Sequence, residues 1–369
     1  MSTHFFDLDR EQLVAFAEEH GFRRFLAGQL MQWVYQRGVS DPEQMTDLSK
    51  ADRARLAQLM HFQSAEELTS QVASDGTRKL LLGWNEPAKD GATALAQLGT
   101  TSRQETECVM IPKDRRKTAC ISSQVGCPVG CRFCASGLGG LEGNLTHGRI
   151  IEQAWRLGRM PGVGRITNVV FMGMGEPLAN YRNVTAAIRT LNAPWGLGIG
   201  ARRITVSTVG VPPAIRRLAE FDLPVTLALS LHAPNDDLRR EIIPWAERVT
   251  IEEILDACSE YFRATGREVT LEYILLGSVN DQAEHARELA AVAKTLRANV
   301  NLIRYNEVEG LPFLRPASPD VHRFQGILRE RGVNAHIRAS RGRDIDAACG
   351  QLRYKHQQDQ HAPDANPAG

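Results

Sequence analysis

Apolar residues along this chain first recur with helical spacing, then alternate, and then settle into a repeated succession of the two patterns. In residues 9–20, 23–37 and 49–60 they fall on one helical face, as Leu13 and Phe16, then Phe25, Leu26, Leu30, Trp33 and Val34, which predicts three helices. From Thr77 to Ile111 alternation in Lys79–Trp84, Ala94–Leu98 and Glu107–Ile111, broken by Asn85, Pro87 and Gly91, predicts a short antiparallel extension. Beyond residue 113 strand patterns fall at 118–123, 166–172, 203–208, 225–231, 269–276 and 300–305. Helical patterns follow them at 148–159, 181–192, 212–220, 251–263, 281–297 and 319–331. Strand and helix in alternation argue for a parallel sheet with helices outside, and six such units are too few to close an eight-stranded barrel. The expected fold is therefore α/β, a partial (βα)6 barrel with a small N-terminal helical domain and a short β extension. Its expected borders are 1–76 for the helical accessory domain, 77–112 for the extension, 113–344 for the barrel core and 345–369 for a C-terminal segment. That segment ends in a polar tail, Gln357 to Gly369, with the composition of disorder.

Composition sharpens this picture. A chain of 369 residues, 43% hydrophobic, can bury a full core. No apolar leader follows Met1, no run is long enough to cross a bilayer, and the seven cysteines show no framework of paired spacings, which together point to the reducing cytoplasm and to no membrane. The formal net charge is +1, so any nucleic-acid binding must rest on local patches. Candidates are Lys113–Lys117, Arg202-Arg203, Arg216-Arg217, Arg239-Arg240 and the group Arg338, Arg341 and Arg343, although most such runs are solvated faces.

The chemistry is concentrated in Cys127, Cys131 and Cys134. Three thiols at CxxxCxxC spacing can hold three corners of a cubane iron–sulfur cluster and leave one iron open, whereas electron-transfer clusters take four cysteine ligands. An open corner is a place for chemistry, as in catalytic metal sites. The alternatives are a zinc site, which wants a fourth Cys or His, or inert buried thiols. In parallel sheets reactive groups gather at the carboxyl ends of strands. Gly175 and Glu176, Ser207, Ser230-Leu231-His232 and Asn306 all fall there. Taken singly, Cys120 and Cys349 read as small packed residues, Glu107 as a solvated strand residue, and Cys108 and Cys258 as structural.

The cysteine spacing resembles that of the radical S-adenosylmethionine (SAM) enzymes. Further elements narrow the resemblance: Asp75-Gly-Thr-Arg-Lys79, Ser122-Ser-Gln-Val-Gly-Cys127, Asn168 to Pro177 with its Gly-Met-Gly-Glu-Pro ending, Ser230 to Asn235, and Asp344-Ile-Asp-Ala-Ala-Cys-Gly-Gln-Leu352. Together they are similar to the RlmN/Cfr family of radical-SAM RNA adenine methyltransferases over nearly the whole chain. The resemblance implies a barrel of the radical-SAM type and a [4Fe-4S] cluster on Cys127, Cys131 and Cys134 with SAM chelated at the open iron. It implies SAM contacts at Gly175, Glu176, Ser207, Ser230, Leu231, His232 and Asn306, and two SAM molecules per turnover. Cys349 would accept the first methyl group, Cys120 would resolve the RNA adduct through a transient disulfide, and Glu107 would accept the proton. The implied activity is methylation of adenine carbon 2 in 23S ribosomal RNA at the peptidyl transferase centre, with an adenosine of the transfer RNA anticodon stem-loop as second substrate. Implied partners are a flavodoxin- or ferredoxin-type electron donor and a thiol reductant. Rival readings are carbon 8 methylation, a non-catalytic cluster-containing RNA-binding protein, and a radical-SAM enzyme acting on protein or small molecules. Intact Cys120, Cys349 and the cysteine triad speak against the second. Arg304 and Glu307 flank Asn306 where relatives usually carry prolines, and Arg343 replaces a common acidic residue. Trp33, Tyr35, Arg23, Arg24 and Arg37 are candidate surfaces for stacking RNA bases.

Overall fold

A computed structural model describes residues 2–84 and 104–345; the expected strand at 94–98, Cys349 and the polar tail lie outside these residues. The chain opens with β1 (Thr3–His4) and α1 (Arg10–Glu19), whose N-cap Asp9 forms a capping box with Gln12. The next predicted helix is α2 (Leu26–Met31), which continues as a π-helical turn over Gln32–Arg37 and stops at Gly38 in the left-handed region, φ 75°. α3 (Lys50–Leu59) then leads into β2 (Met60–His61), parallel to β1.

The main sheet begins earlier than the alternation predicted, at β3 (Ala65–Val72), whose polar and half-exposed residues conceal its periodicity. β4 (Arg78–Trp84), β5 (Gln104–Lys113) and β6 (Arg116–Cys120) follow as an antiparallel series. A small hairpin, β7 (Gln124–Gly126) and β8 (Leu141–Asn144), brackets the cysteine loop and the one-turn helix α4 (Ala135–Leu138). After α5 (His147–Arg159) come β9 (Asn168–Phe171), α6 (Tyr181–Asn192), β10 (Ile204–Thr208), α7 (Pro212–Ala219) and β11 (Thr226–Ser230). Next are α8 (Asp236–Ile242), α9 (Ile251–Thr265), β12 (Val269–Leu275), α10 (Ala283–Thr295), β13 (Ala298–Arg304), α11 (Ser318–Glu330) and β14 (Ala335–Arg338). The ends of α9 follow local rules: Thr250 and Glu253 form its capping box, and Gly266 at φ 66° terminates it.

Sheet order is β14-β13-β12-β11-β10-β9-β6-β5-β4-β3, and every pairing from β6 to β14 is parallel. The expected partial barrel is present, with β14 as a seventh parallel strand that four residues were too short to announce. Its curl is visible in side-chain contacts. Five strand spacings separate β14 from β9, roughly 24 Å in a flat sheet. Yet Arg338 Nη1 on β14 lies 3.7 Å from Met172 Sδ, one residue beyond β9, and 3.1 Å from Glu272 Oε2 on β12. Strands alternate accordingly. Val300, Leu302, Leu271 and Tyr273 pack outward under the helices, while Asn301 donates inward to Glu272 at 2.9 Å. A polar lumen is what gives these parallel strands a periodicity that sheets covered by apolar layers on both faces lack.

One apolar core runs from the N-terminal helices into the barrel's outer layer. Phe5 stacks on Phe62, Phe6 packs on Trp155, and Trp155 Nε1 donates to the Val34 carbonyl at 2.8 Å. Trp33 and Tyr35 belong to this core, so they are not the stacking surfaces expected of them; Arg37 lies over the Trp33 ring. The exposed aromatic of this region is Phe25, 57% accessible, with Arg23 over its ring.

Charge locks the same junction. Glu152 of α5, fully buried, accepts from the Ser64 and Ala65 amides, from Ser64 Oγ at 2.6 Å and from Arg156, and meets His4 Nε2 at 3.2 Å. Burial alone would raise its carboxyl, but His4 and Arg156 prevail and bring it to about 2. Asp7, also brought to about 2 by His4 against the effect of burial, caps α5 through the Gly148 amide at 2.9 Å. For His4 burial works downward and is outweighed by Asp7 and Glu152, so its imidazole is raised. The two depressed carboxyls stabilise the docked state above their ordinary range and cease to as pH falls towards about 2; raised His4 contributes below its ordinary value of 6.5 and ceases as pH climbs past its raised value. Hydrogen exchange at Phe5–Asp7, corrected for intrinsic rates, is expected to be slower at about pH 5.5 than at about pH 8.5, and His4→Ala should remove the difference. Equal protection at both pH values in the parent chain would refute the lock.

Candidate active site

The cysteine loop is built for close approach. Cys127 N donates to the Gly140 carbonyl at 2.8 Å, Cys134 N to Cys131 at 3.1 Å, and Arg132 N to the end of α8 at Ile242, 3.0 Å. Gly126 sits at φ 72°, and a Cβ there would stand 2.0 Å from the Gly140 oxygen, so no other residue fits. The three cysteines are half-buried against a second apolar cluster that includes Val129, Phe133, Val209, Ala233 and Ile242. Burial pushes the Cys127 thiol up to about 11, with the charge of Glu176 adding to it. Cys131 is raised by burial and then by the charges of Cys134 and Cys127, and Cys134 by burial and then by that of Cys127. Three thiols that repel one another as anions in one apolar recess are a donor set for a multiply charged cationic centre, which takes them as thiolates. Arg239 of α8 adds a second sign. It is fully buried, its charge is felt at Cys131, and its Nη1 has no hydrogen-bond partner among the described residues. These residues fit a thiolate-held iron–sulfur cluster.

Around that recess the strand ends carry the predicted polar residues. Gly175, at φ 98°, lies where a Cβ would meet Gln124 Cβ at 2.6 Å, and Gln124 Oε1 accepts from the Glu176 amide at 2.8 Å. The loop after β9 is thereby pressed onto the chain leading into the cysteine loop. Glu176 accepts from its own loop at Leu178 N, 3.0 Å, and from Val209 N just beyond β10, 2.8 Å. Its carboxyl is taken by these two amides and by the Thr208 side chain, so a ligand in the recess meets this loop through main-chain groups. Burial raises its carboxyl to about 7 despite those bonds. Ser207 and Ser230, at the ends of β10 and β11, are 3.2 Å apart through their hydroxyls.

His232 adopts φ 60°, rare for a side-chain-bearing residue and held here by tertiary contacts. Its Nδ1 accepts from Ile274 N at 3.0 Å and its carbonyl from Asn280 Nδ2 at 2.8 Å, while Phe133 packs edge-on against the ring. Burial, and then the charge of Arg239, lowers it to about 3, so the imidazole is neutral with its proton on Nε2. Leu231 is buried and its carbonyl accepts from Arg239 Nε at 3.2 Å. Asn306 Oδ1 is taken by Arg315. The neighbours that replace prolines fix the same loop: Arg304 donates to Pro316 O at 3.0 Å, and Glu307 accepts from Arg315 N at 3.1 Å.

Strand register groups the remaining predicted residues. Lys79, Val109 and Cys120 are cross-strand partners on β4, β5 and β6, and Glu107 lies two residues from Val109 on the same face. Lys79 Nζ is 3.6 Å from Glu107 Oε2, both side chains buried. Cys108 points to the opposite face and into the apolar core, where burial holds its thiol well up; Cys258 is likewise buried and pushed up to about 12. Both fit the structural reading. Beyond β14 the chain returns to the turn between β3 and β4. There Asp75 Oδ2 accepts from Gly342 N at 3.1 Å, and Asp344 Oδ2 accepts from Ser74 N at 2.7 Å. This clasp holds the chain five residues before Cys349, which lies outside the described residues.

Sequence reasoning passed over three residues. Lys79 follows Arg78 at the start of an otherwise apolar strand, and its burial beside Glu107 is the part that its residue type did not signal. Asn280, which bridges His232 and Ile274 and receives Leu276 N, looked like a loop residue. Arg239 was grouped with Arg240 as a surface patch and is instead fully buried.

An open parallel barrel with three thiols beside polar strand ends defines the class of radical SAM enzymes, and residues 121–290 match the radical SAM superfamily. Residues 3–62 match the ribosomal RNA large subunit methyltransferase N-terminal domain. The chain is 43% identical over 352 residues to the probable dual-specificity RNA methyltransferase RlmN of Rhodopirellula baltica, covering 95% of this chain and 91% of that one. It is 44% identical over 346 residues to the dual-specificity RNA methyltransferase RlmN of Halorhodospira halophila, covering 94% and 92%. The crystal structure of a radical SAM methyltransferase from Sphaerobacter thermophilus superposes with a TM-score of 0.86 at 41% identity, covering 95% and 98%. The chain belongs to the RlmN family of radical SAM RNA methyltransferases, enzymes that work with a [4Fe-4S] cluster and SAM.

Glu176→Gln tests the loop anchor. An amide has one acceptor oxygen where the carboxylate has two, so one of the Leu178 and Val209 amides loses its partner. A destabilisation of about 1–3 kcal/mol by denaturant unfolding is expected, and parent-like stability would mean that the carboxylate does not anchor the loop.

Proposed function

We propose that this chain methylates carbon 2 of an adenosine in 23S ribosomal RNA, at the peptidyl transferase centre, and of an adenosine in transfer RNA anticodon stem-loops. The observation that carries the reading is the shared face of Lys79, Glu107 and Cys120 beside strand ends of a radical SAM barrel. A carboxylate and a thiol set near each other are what release of a covalently held base requires. Carbon 2 of adenine has no lone pair for displacement on SAM; when bound, the cluster and two SAM molecules supply the methyl carbon and the one-electron chemistry that activates it. Cys127, Cys131 and Cys134 would hold the cluster. Backbone at Gly175, Glu176 and Leu231, with Ser207, Ser230, His232 Nε2 and Asn306, would hold SAM.

Cys349 Sγ carries the methyl carbon, which gives up one hydrogen atom to the one-electron chemistry that SAM would supply and then bonds to carbon 2. Loss of the carbon 2 proton to Glu107, and of one electron that the cluster in its oxidised state would accept, restores the aromatic ring and leaves base and cysteine joined through a CH2 group. Lys79 Nζ, 3.6 Å away, pairs with the carboxylate that would take this proton. The Cys120 thiolate then attacks Cys349 Sγ. A sulfur–sulfur bond forms as the carbon–sulfur bond breaks, and the electron pair left on carbon takes a proton to complete the methyl group. A thiol reductant reopens the disulfide, and a flavodoxin- or ferredoxin-type protein delivers electrons. The clasp through Asp75 and Asp344 holds the chain ahead of Cys349 against the turn between β3 and β4. The N-terminal helical region would present RNA, with Phe25, Arg23 and Arg24 as its accessible stacking group. A cytoplasmic site of action suits these substrates, and among the described residues no helix is long and apolar enough to cross a membrane.

Cys120→Ala is expected to accumulate protein covalently joined to RNA on a denaturing gel, whereas Cys349→Ala should give neither adduct nor methylated RNA. Normal turnover by Cys120→Ala would reduce Cys120 to a packing residue. With SAM bearing a fully deuterated methyl, the product methyl should carry two deuteriums and one hydrogen, because a hydrogen atom is removed from the cysteine-bound carbon. Chromatography against 2-methyl and 8-methyl standards fixes the position, and exclusive 8-methyladenosine would overturn carbon 2.

A further inference from the structure

We infer that Arg239 is a built-in counter-charge for the thiolate-held cluster, a positioning residue that favours the reduced state of the cluster. The inference rests on the reading that Cys127, Cys131 and Cys134 hold that cluster. An arginine carries five N–H donors and stays charged, and burying such a charge without a partner costs several kcal/mol. Arg239 is fully buried, and among the described residues no carboxylate lies within ion-pair distance of it. Two of its nitrogens are bound to neutral carbonyls, Nε to Leu231 and Nη2 to Val209, and Nη1 has no hydrogen-bond partner among the described residues; the negative charges felt at it are those of Cys131 and then of Asp236 at the start of α8. Burial lowers the guanidinium to about 10, so it remains a cation at neutral pH.

Its surroundings direct this charge. α8 lies beneath the cysteine loop, tied to it by Arg132 N and the Ile242 carbonyl, and Cys131 packs against the same apolar cluster as Ile242 and Leu238. Neighbouring His232 is neutral and supplies no charge. Glu176, whose charge is also felt at Cys127 and Cys131, works in the opposite sense. A fixed cation in a dry recess stabilises an added electron, and net charge and hydrogen bonding are among the factors that set cluster potentials. Because the guanidinium also holds the Leu231 and Val209 carbonyls, the cluster's counter-charge and the strand ends of the SAM site share one side chain.

Arg239→Gln keeps a donor and removes the charge; Arg239→Lys keeps the charge. Both are to be compared with the parent after anaerobic reconstitution, with iron content and the cluster midpoint potential by EPR-monitored titration as readouts. A midpoint shifted to more negative potential in Arg239→Gln and largely restored in Arg239→Lys is expected. Equal midpoints in all three chains, or equal shifts in both variants, would overturn the inference. If Arg239→Gln folds but does not load iron, alkylation of Cys131 in the metal-free full chain decides: slowing relative to the parent and to Arg239→Lys supports the counter-charge, and an unchanged rate overturns it. If Arg239→Gln does not fold, the same alkylation assay on Arg239→Lys decides, a parent-like rate supporting the inference and a several-fold slower one refuting it. A parent chain that fails to load four irons would instead refute the cluster reading itself.

Discussion

Val209, the first residue after β10, is gripped by two buried side chains of opposite charge: Glu176 takes its N–H and Arg239 donates to its carbonyl. The rest of the site hangs from that peptide. Through Glu176 it is joined to the glycine loop after β9, and through Gln124 to the chain entering the cysteine loop. Through Arg239 it is joined to Leu231, ahead of His232, and to α8 beneath Cys131. Strand-end loops have no ladder partners, so buried side chains must satisfy their peptide groups. This barrel uses charged ones, which carry both the geometry and the electrostatics of the recess.

A second set of buried charges governs how the N-terminal helices meet the barrel. Glu152 emerges from a helix of the core yet spends most of its acceptors on Ser64, Ala65 and His4. With the aromatic contacts of Phe5, Phe6 and Trp155 around it, the junction is packed as a core is packed, with matched polar groups inside. Such a junction suits an RNA methyltransferase, which must hold its substrate in fixed relation to a small reactive recess, because a misplacement of about 1 Å can cost two orders of magnitude in rate.

The lumen and the outer layer divide the work of the strands. Outward residues such as Leu271 and Val300 supply the burial that holds helices on, while Glu272, Asn301 and Arg338 form a hydrogen-bonded set inside. Lys79, Glu107 and Cys120 sit on the inward face of the extension for the same reason: alternation along a strand sends successive side chains to opposite faces, and Cys108 beside Glu107 therefore goes to the core.

Periodicity alone determined the three N-terminal helical segments and the six β/α units, because helices and strands that bury one face repeat at 3.6 and 2. The spacing of Cys127, Cys131 and Cys134 announced a three-thiol site, since local loop geometry brings ligands within one short segment together. β3 and β14 were not legible: the first is half-exposed and polar, and the second has four residues. Trp33 and Tyr35 looked like binding aromatics and are core, because exposure is a property of what packs against a residue and not of its type. Arg239 is the sharpest case. Beside Arg240 on a helix its residue type argues for solvent, and only the placement of α8 under the cysteine loop decides that one arginine faces water while its neighbour is buried against Val209 and Leu231. Charge in a sequence is visible; the dielectric around it is set by tertiary packing.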